Sequence, residues 1–556
     1  MALADLVPHP ELISPWFVTA AVITVVVGVA SVLLKDYSIP EKAPKLASGL
    51  WPILGHRGFF NARWDFHRTH GHASPTGNWT YFVGRKPVIG MSGDASRKLY
   101  FGSNKLNLSA GYSGLFAGSP DTPTSDEDRT TRGEGHDAHF FKRLVHVTRR
   151  EKLAQGKSLR ICAVYPKGLT HAVVPGMIKS LRADLDELAT RENKVIKPFD
   201  TIYDYLFRMI VRVVGCNELV NDDVARAKVL KNFHMIENAG TPFTIMYPKI
   251  PTIAFLKRMW GGAQIWMIFD KYIKERKKTG RKEDDPLQYL MESGDDTTQI
   301  ISVSPPLLTH LVRILTSSKF VIGALYAGQL NSGINATWII SFLSNNPEWH
   351  KNVYNEVHRV VDKHVPDRSS SLADRLSLLP FDAWESEFTI IDACLRETIR
   401  ITTPGSVFRQ NTTPDPIPIN DKEVIPPGFY ATYAVSDIHL DESVYPDPRT
   451  FNPGRYVNAD GTEAADFQGV NDPNSPKNFA FVGWGAGRHP CLGMRFAKLE
   501  MYLITAFWVA YFDMQVVEPK GRLPSLEPIL NLHCASKPKE EVLLRYWPRG
   551  EAEPVA

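Results

Sequence analysis

The stretch FAFVGWGAGRHPCLGMRFAKLEMYL, residues 479–503, decides the fold. Cys491 lies in a loop with Gly483, Gly485, Gly487 and Gly493. The chain then runs into an apolar-periodic helix carrying Leu492, Phe496, Leu499 and Leu503. Such a loop suits a thiolate that must bind a soft metal. Glycines let backbone N–H groups approach the sulfur, and a helix N-terminus favours negative charge. Arg488 and His489 stand beside the cysteine, where basic groups neutralise the carboxylates of a bulky cofactor. An arbitrary cysteine after a glycine-rich turn is a buried packing residue more often than a ligand, so the surrounding spacing has to carry the reading.

Composition sets the outer bounds. The 556 residues hold 64 Lys+Arg against 60 Asp+Glu, a formal net charge of +4, with 43% apolar and 22% charged residues. That is globular composition, and it excludes a disordered tail, a collagen-like repeat and a polytopic membrane protein. Length alone predicts several domains, but no repeat or low-complexity tract separates them. Cys162, Cys216, Cys394, Cys491 and Cys534 are scattered without a C-x-x-C pair, which excludes a disulfide framework, zinc fingers and thioredoxin-like chemistry. No concentrated basic stripe argues for nucleic acid.

Apolar-periodic segments with good helix formers dominate from about residue 140 to 400 and again over 491–513. Strand-like runs are short, as in YFVGRKPVIGM from Tyr81 and EEVLLRYW from Glu540. The reading is one large, mainly α domain with small β-sheets. Two motifs precede the cysteine. ACLRETIR places Glu397 and Arg400 on one helix face at i and i+3, and DPRTFNPGRY supplies Phe451, Pro453 and Arg455.

Together these motifs resemble the cytochrome P-450 superfamily. WGAGRHPCLG, residues 484–493, is similar to its haem-binding signature F-x-x-G-x-[RH]-x-C-x-G. Every fixed position matches except the first, where Trp484 keeps an aromatic in place of Phe. The resemblance implies haem b with Cys491 as the axial thiolate ligand of iron, favouring O–O cleavage. His489 and Arg409, the latter in SVFRQN, would grip haem propionates, with Gly487 and Arg488 in the same cofactor-binding loop. Glu397, Arg400 and Arg455 would form a buried charge network holding that loop.

FVIGALYAGQLNSGINATWII, residues 320–340, resembles the long helix that runs over the haem. Gly328, after Ala327, would make room for O2 and substrate. Leu330 and Asn331 stand where the family carries an acid and a Thr that relay protons. Leu330 cannot carry a proton, and Asn331 hydrogen-bonds without titrating. The A-G-Q step is similar to sterol 14-demethylases, and the Asn to the branch holding sterol 7-hydroxylases and prostacyclin synthase. The chain is therefore placed near that clan as a microsomal fungal-type member, without the A-G-Q-H-T-S helix of a true demethylase. The family's W-x-x-x-R is replaced by HFFKRLVHVTRREK, which leaves Lys142, Arg143, Arg149 and Arg150 open for the second propionate. In NLSAGYSGLFAG, residues 107–118, Tyr112, Leu115 and Phe116 are candidate pocket residues. The apolar segment 240–269 is either a substrate mouth near the membrane or core packing.

Residues 12–34 carry no charge and are long enough to cross a bilayer. Lys35, Lys42 and Lys45 follow, so the positive-inside bias puts the body in the cytosol. The organisation expected is a lumenal end (1–11), a transmembrane signal anchor (12–34), a proline-rich connector (35–55) and a monooxygenase domain (56–556), in the endoplasmic reticulum membrane. With a cytosolic body, the sequons at Asn78, Asn107, Asn335 and Asn411 are chance matches. The activity implied is insertion of one oxygen atom from O2 into a hydrophobic small molecule, a sterol, terpenoid or similar secondary metabolite. Electrons would come from an NADPH-dependent flavoprotein reductase docking beside Arg488, Arg495 and Lys498. The alternatives are a reductase-independent isomerase or dehydratase acting on a peroxide, and a haem sensor or carrier without turnover.

Overall fold

Helices form where apolar side chains recur every three to four residues. The ones that frame the site are α1 (Leu108–Leu115), α2 (Lys167–Thr190), α3 (Pro198–Val214), α4 (Asp223–Glu237) and α5 (Ile253–Thr279). They continue with α6 (Phe320–Ser344), α7 (Pro347–His364), α8 (Thr389–Thr402) and α9 (Met494–Tyr511). In α3, Pro198 starts the helix with its φ already set, and Ile202, Leu206, Met209, Ile210 and Val213 form its buried stripe. Asp222 caps α4 and Thr252 caps α5, each accepting a backbone N–H from three residues on. Gly280, at φ 68°, ends α5 in the left-handed conformation that glycine adopts without strain.

This computed structural model describes residues 37–115, 167–246, 252–283, 285–292, 320–458, 460–464, 478–491, 493–517, 522–531 and 535–551, plus Thr19 and Ile23. The predicted anchor (12–34, apart from those two residues) lies outside them, as do Phe116, Lys142, Arg143, Arg149 and Arg150. Among the described residues, no helix is long and apolar enough to cross a membrane.

The main core lies between α2, α3, α6, α7, α8 and α9, where side chains such as Leu206, Trp338, Val357, Leu395 and Phe507 are fully buried. Each such side chain contributes about 1.5–3 kcal/mol of transfer free energy. Beside it stands a seven-stranded sheet of order β1-β2-β3-β4-β10-β7-β5. Its strands are β1 (Leu50–Trp51), β2 (Gly55–His56), β3 (Asn78–Val83), β4 (Lys86–Met91), β5 (Leu106–Asn107), β7 (Ser406–Asn411) and β10 (Tyr430–Ala434). Only β4 and β10 pair in parallel within it, and the register sets Ala431 of β10 opposite Arg409 of β7.

A second sheet joins β6 (Val195–Ile196), β14 (Leu544–Pro548) and β13 (Phe512–Val516). Two small ribbons complete the strands, β8 (Ile417–Pro418) with β9 (Val424–Ile425), and β11 (Gly485–Ala486) with β12 (His489–Pro490). The short strands read at Tyr81 and near the C-terminus are therefore present as β3–β4 and β14. Helices and sheet pack into one mainly α body, as expected. Asn78, Asn335 and Asn411 are buried, so three of the four sequons offer no surface to modify.

Candidate functional site

Glu397 and Arg400 face the interior of α8 with no exposed side-chain surface. Arg400 Nε and Nη2 each donate to the Glu397 carboxylate at 2.8 Å. Arg455 Nε donates to Glu397 Oε1 at 3.2 Å, and the Asn452 backbone N–H joins at 3.1 Å. Arg400 Nη1 also donates to the carbonyls of His439 (2.6 Å) and Pro448 (2.7 Å). Buried charges are tolerated only when satisfied in this way. Upstream, Glu356 of α7 accepts the Ile390 and Ile391 N–H groups and so fixes the start of α8. The three predicted network residues are in contact.

The cysteine loop folds back through the β11–β12 ribbon. The Cys491 N–H donates to Trp484 O at 2.6 Å. Cys491 itself is exposed, although the protein around the loop is dense. The surrounding protein, by thinning the water around the sulfur, pushes its thiol pKa up, against a lowering by the Gly493 N–H. Gly487 sits at φ 61°, and a Cβ there would come within 2.1 Å of Phe101 O, so only glycine lets the loop lie against that carbonyl. Trp484 packs on the main core, and its indole N–H is buried without a partner.

Against the same Phe101 segment lies Arg409, whose guanidinium is 4.7 Å from the Tyr100 ring and 5.8 Å from the Phe101 ring. Its Nη1 donates to Tyr100 O, while its Nε is buried with no partner. Burial, then the positive charges of Arg409 and Arg488, lower the His489 pKa to about 4. Among the described residues Arg409 has Tyr100 and Tyr112 beside it and no carboxylate, and Arg488 is exposed. An open thiol beside a cluster of basic groups with a donor left over is the donor set that haem needs, sulfur for the iron and cations for its carboxylates. The residues present fit the group.

α6 is tied to α8 by Thr402 Oγ1, which donates to Asn335 Oδ1 at 2.7 Å. Along a helix otherwise buried over residues 329–343, Asn331 alone is exposed, and Gly328, one turn earlier, is half-buried. A Cβ on Gly328 would meet only Ile210, at 3.6 Å, so packing does not demand glycine there. Gly333 is the tight position, because a Cβ would stand 2.7 Å from the Tyr203 ring of α3. Leu330 is buried.

The structure gives the surroundings of three further expectations. Leu115 is only 1% exposed, in the apolar cluster beneath the sheet with Phe59, Trp79 and Phe408, so its side chain offers a ligand no open surface. Tyr112 is half-buried against the same cluster, its ring 5.3 Å from that of Phe408. The basic patch expected beside Cys491 is mostly neutralised. Arg495 is paired to both carboxylate oxygens of Glu385, and Lys498 to Asp392 at 2.5 Å, leaving Arg488 exposed. Sequence reading also passed over His439 and Tyr445, which stand between the charge network and the cysteine loop. A lone His and a lone Tyr in SDIHLDESVYPDP carry no spacing signal that would have marked them.

A family model described as Cytochrome P-450 matches residues 124–542. The chain is 27% identical to cytochrome P-450 monooxygenase AacuE of Aspergillus aculeatus, over 94% of this chain and 99% of that protein. It is 28% identical to cytochrome P-450 monooxygenase nsrP of Aspergillus novofumigatus, over 91% and 90%. Sterol 14-demethylase of Arabidopsis thaliana is 25% identical over 52% of this chain and 53% of its own. Among solved structures, the retinoic acid bound cyanobacterial CYP120A1 superposes with a TM-score of 0.62 at 19% identity. That match covers 92% of this chain and 100% of that one, a likeness of fold.

Proposed function

The chain belongs to the cytochrome P-450 family and is a haem b monooxygenase, and we propose that its substrate is a hydrophobic small molecule, a sterol, terpenoid or related secondary metabolite. One oxygen atom from O2 enters that molecule, and NADPH supplies electrons through a flavoprotein reductase. The observation that carries this is the open Cys491 thiol beside Arg409, which no carboxylate among the described residues answers. Haem, when bound through Cys491, supplies the oxygen-activating chemistry. Arg409, Arg488 and His489 would hold its carboxylates, the Arg409 Nε–H having no partner among the described residues. Gly487 lets the loop lie flat against Phe101. Gly328 leaves space for substrate, and Asn331 holds a water through its side-chain amide, since Leu330 has no polar atom. The sterol-like end of the substrate range is supported by the half-length likeness to a protein named sterol 14-demethylase.

The test is turnover of full-length protein on a panel of sterols and terpenoids. Product is expected only with NADPH and reductase, carrying one oxygen atom from labelled O2. Product formed from a hydroperoxide without either would replace this reading by the isomerase one, which the missing acid at Leu330 motivates.

The membrane reading keeps the single-pass anchor at 12–34, the connector at 35–55 and a cytosolic body at the endoplasmic reticulum. For the apolar segment 240–269, the burial pattern along α5 supports core packing on one side and a lipid-facing surface on the other. Met259, Ala263, Ile265 and Phe269 of α5 are buried, whereas Ile253 (75% exposed), Leu256, Trp260 (61%) and Met267 line one outer face at helical spacing. Trp51 and Phe243 are also exposed, and Met246 packs over Gly84, whose N–H donates to Leu54 O. The outer face of α5 rests in the lipid interface, which favours Trp. In nanodiscs, brominated lipids are expected to quench part of the fluorescence in wild type that is missing in Trp260→Phe. Equal quenching in both proteins contradicts contact by this face.

A further inference from the structure

The charge network and the cysteine loop are not hydrogen-bonded to one another among the described residues. Glu397, Arg400 and Arg455 bond among themselves, to the Tyr456 side chain, and to the backbone at His439, Asp447, Pro448 and Asn452. A network that positions the loop therefore needs an intermediary. His439 ends the short helix Val435–His439 and is fully buried. Its carbonyl accepts Arg400 Nη1 at 2.6 Å, and its ring Nε2 accepts the Val482 N–H at 3.0 Å. The ring also stacks on Phe481, with centroids 5.2 Å apart and planes 17° off parallel. From Val482 the connection continues, because its carbonyl accepts the Gly485 N–H at 2.9 Å, and Trp484 O accepts the Cys491 N–H.

Tyr445 makes a second, parallel connection. Its ring lies 4.7 Å from the Arg400 guanidinium, and its hydroxyl donates to Ala480 O at 3.0 Å. Residues 480 and 482, alternate positions of the segment entering the loop, are thus both held from the network side.

We infer that His439 is the positioning residue through which the Glu397–Arg400–Arg455 network places the cysteine loop, by accepting the Val482 N–H at Nε2; this rests on Cys491 being the haem ligand. The chemistry fixes the form of the ring. An acceptor Nε2 means a neutral imidazole with its proton on Nδ1. A doubly protonated ring would set two N–H donors against each other. Burial also holds the His439 pKa down, at about 3. Without an acceptor, the buried Val482 N–H is left orphaned, and the loop gains by moving to satisfy it.

The test uses full-length holoprotein and reads the reduced carbon monoxide Soret band together with the reduction potential. His439→Gln keeps a side-chain oxygen able to accept the Val482 N–H. His439→Leu keeps bulk and removes the acceptor. The Leu variant is expected to lower the ratio of thiolate-type to non-thiolate complex about tenfold and to shift the potential, with Gln close to wild type. A haem-loaded Leu variant indistinguishable from wild type overturns the inference. So does equal loss in Leu and Gln, which would assign the effect to ring packing. If His439→Leu does not fold, His439→Gln and His439→Phe decide. Gln must keep the thiolate-type band, and Phe, which keeps a ring against Phe481 and removes the acceptor, must lose part of it; either failure overturns the inference. Absence of a thiolate-type band in the wild type would instead defeat the Cys491 assignment itself.

Discussion

Arg400→Met is expected to give a protein that melts early and without cooperativity and retains little haem. Methionine fills much of the volume but donates nothing. Glu397 would lose both Arg400 bonds and keep the weaker contacts of Arg455 Nε at 3.2 Å, the Asn452 N–H and the Tyr456 hydroxyl, in a site with no exposed side-chain surface. The His439 and Pro448 carbonyls would lose their donor as well. Removing one partner of a buried pair costs about 3–5 kcal/mol. Net stability of a folded protein is about 5–15 kcal/mol, so this one change takes a large share of it. Thermal melting and the haem-to-protein ratio check the expectation. Adding Glu397→Met to Arg400→Met should recover part of the loss, because the uncompensated charge goes with it. An Arg400→Met protein with wild-type melting and full haem content would show that the network does not hold this region together.

Cys491→Ala is expected to act in the opposite way, abolishing turnover while sparing the fold. The side chain is exposed, and the bonds that shape the loop are made by backbone atoms, namely Cys491 N–H to Trp484 O and Met494 N–H to Cys491 O. Alanine keeps both. The stability change should therefore stay within about 0.5 kcal/mol, seen as an unchanged melting curve of the haem-free protein. Turnover with NADPH and reductase should fall to background, and the reduced carbon monoxide complex should lose its thiolate-type band. A retained band would show that another residue binds iron.

Much of the site was legible because its information is local. The glycines and His489 around Cys491 lie within ten residues of chain, and Glu397 and Arg400 share a helix face because helices put i and i+3 together. Arg409 was legible by resemblance alone, and the reason it matters, a buried Nε without a partner in the sheet, needed β7 and β10 in register. What escaped the sequence depends on distant segments meeting. The charges of Arg495 and Lys498 were visible, but not that Glu385 and Asp392 would cancel them. The apolar run over 240–269 could not say which side of α5 would be covered, since burial of Met259 and exposure of Trp260 are decided by the neighbouring helix α4. Gly333 drew no notice beside Gly328, because only the closeness of Tyr203 on α3 singles it out. His439 belongs with these, as its partners are a carbonyl-bound Arg 39 residues before it and an N–H 43 residues after it.

The account stands or falls on the sulfur. Full-length protein, purified with its haem, is reduced under carbon monoxide, and the Soret band is compared with that of the unreacted reduced form. The wild type is expected to show the thiolate-type shift, and Cys491→Ala to lack it. A folded, haem-loaded wild type without that shift would contradict it.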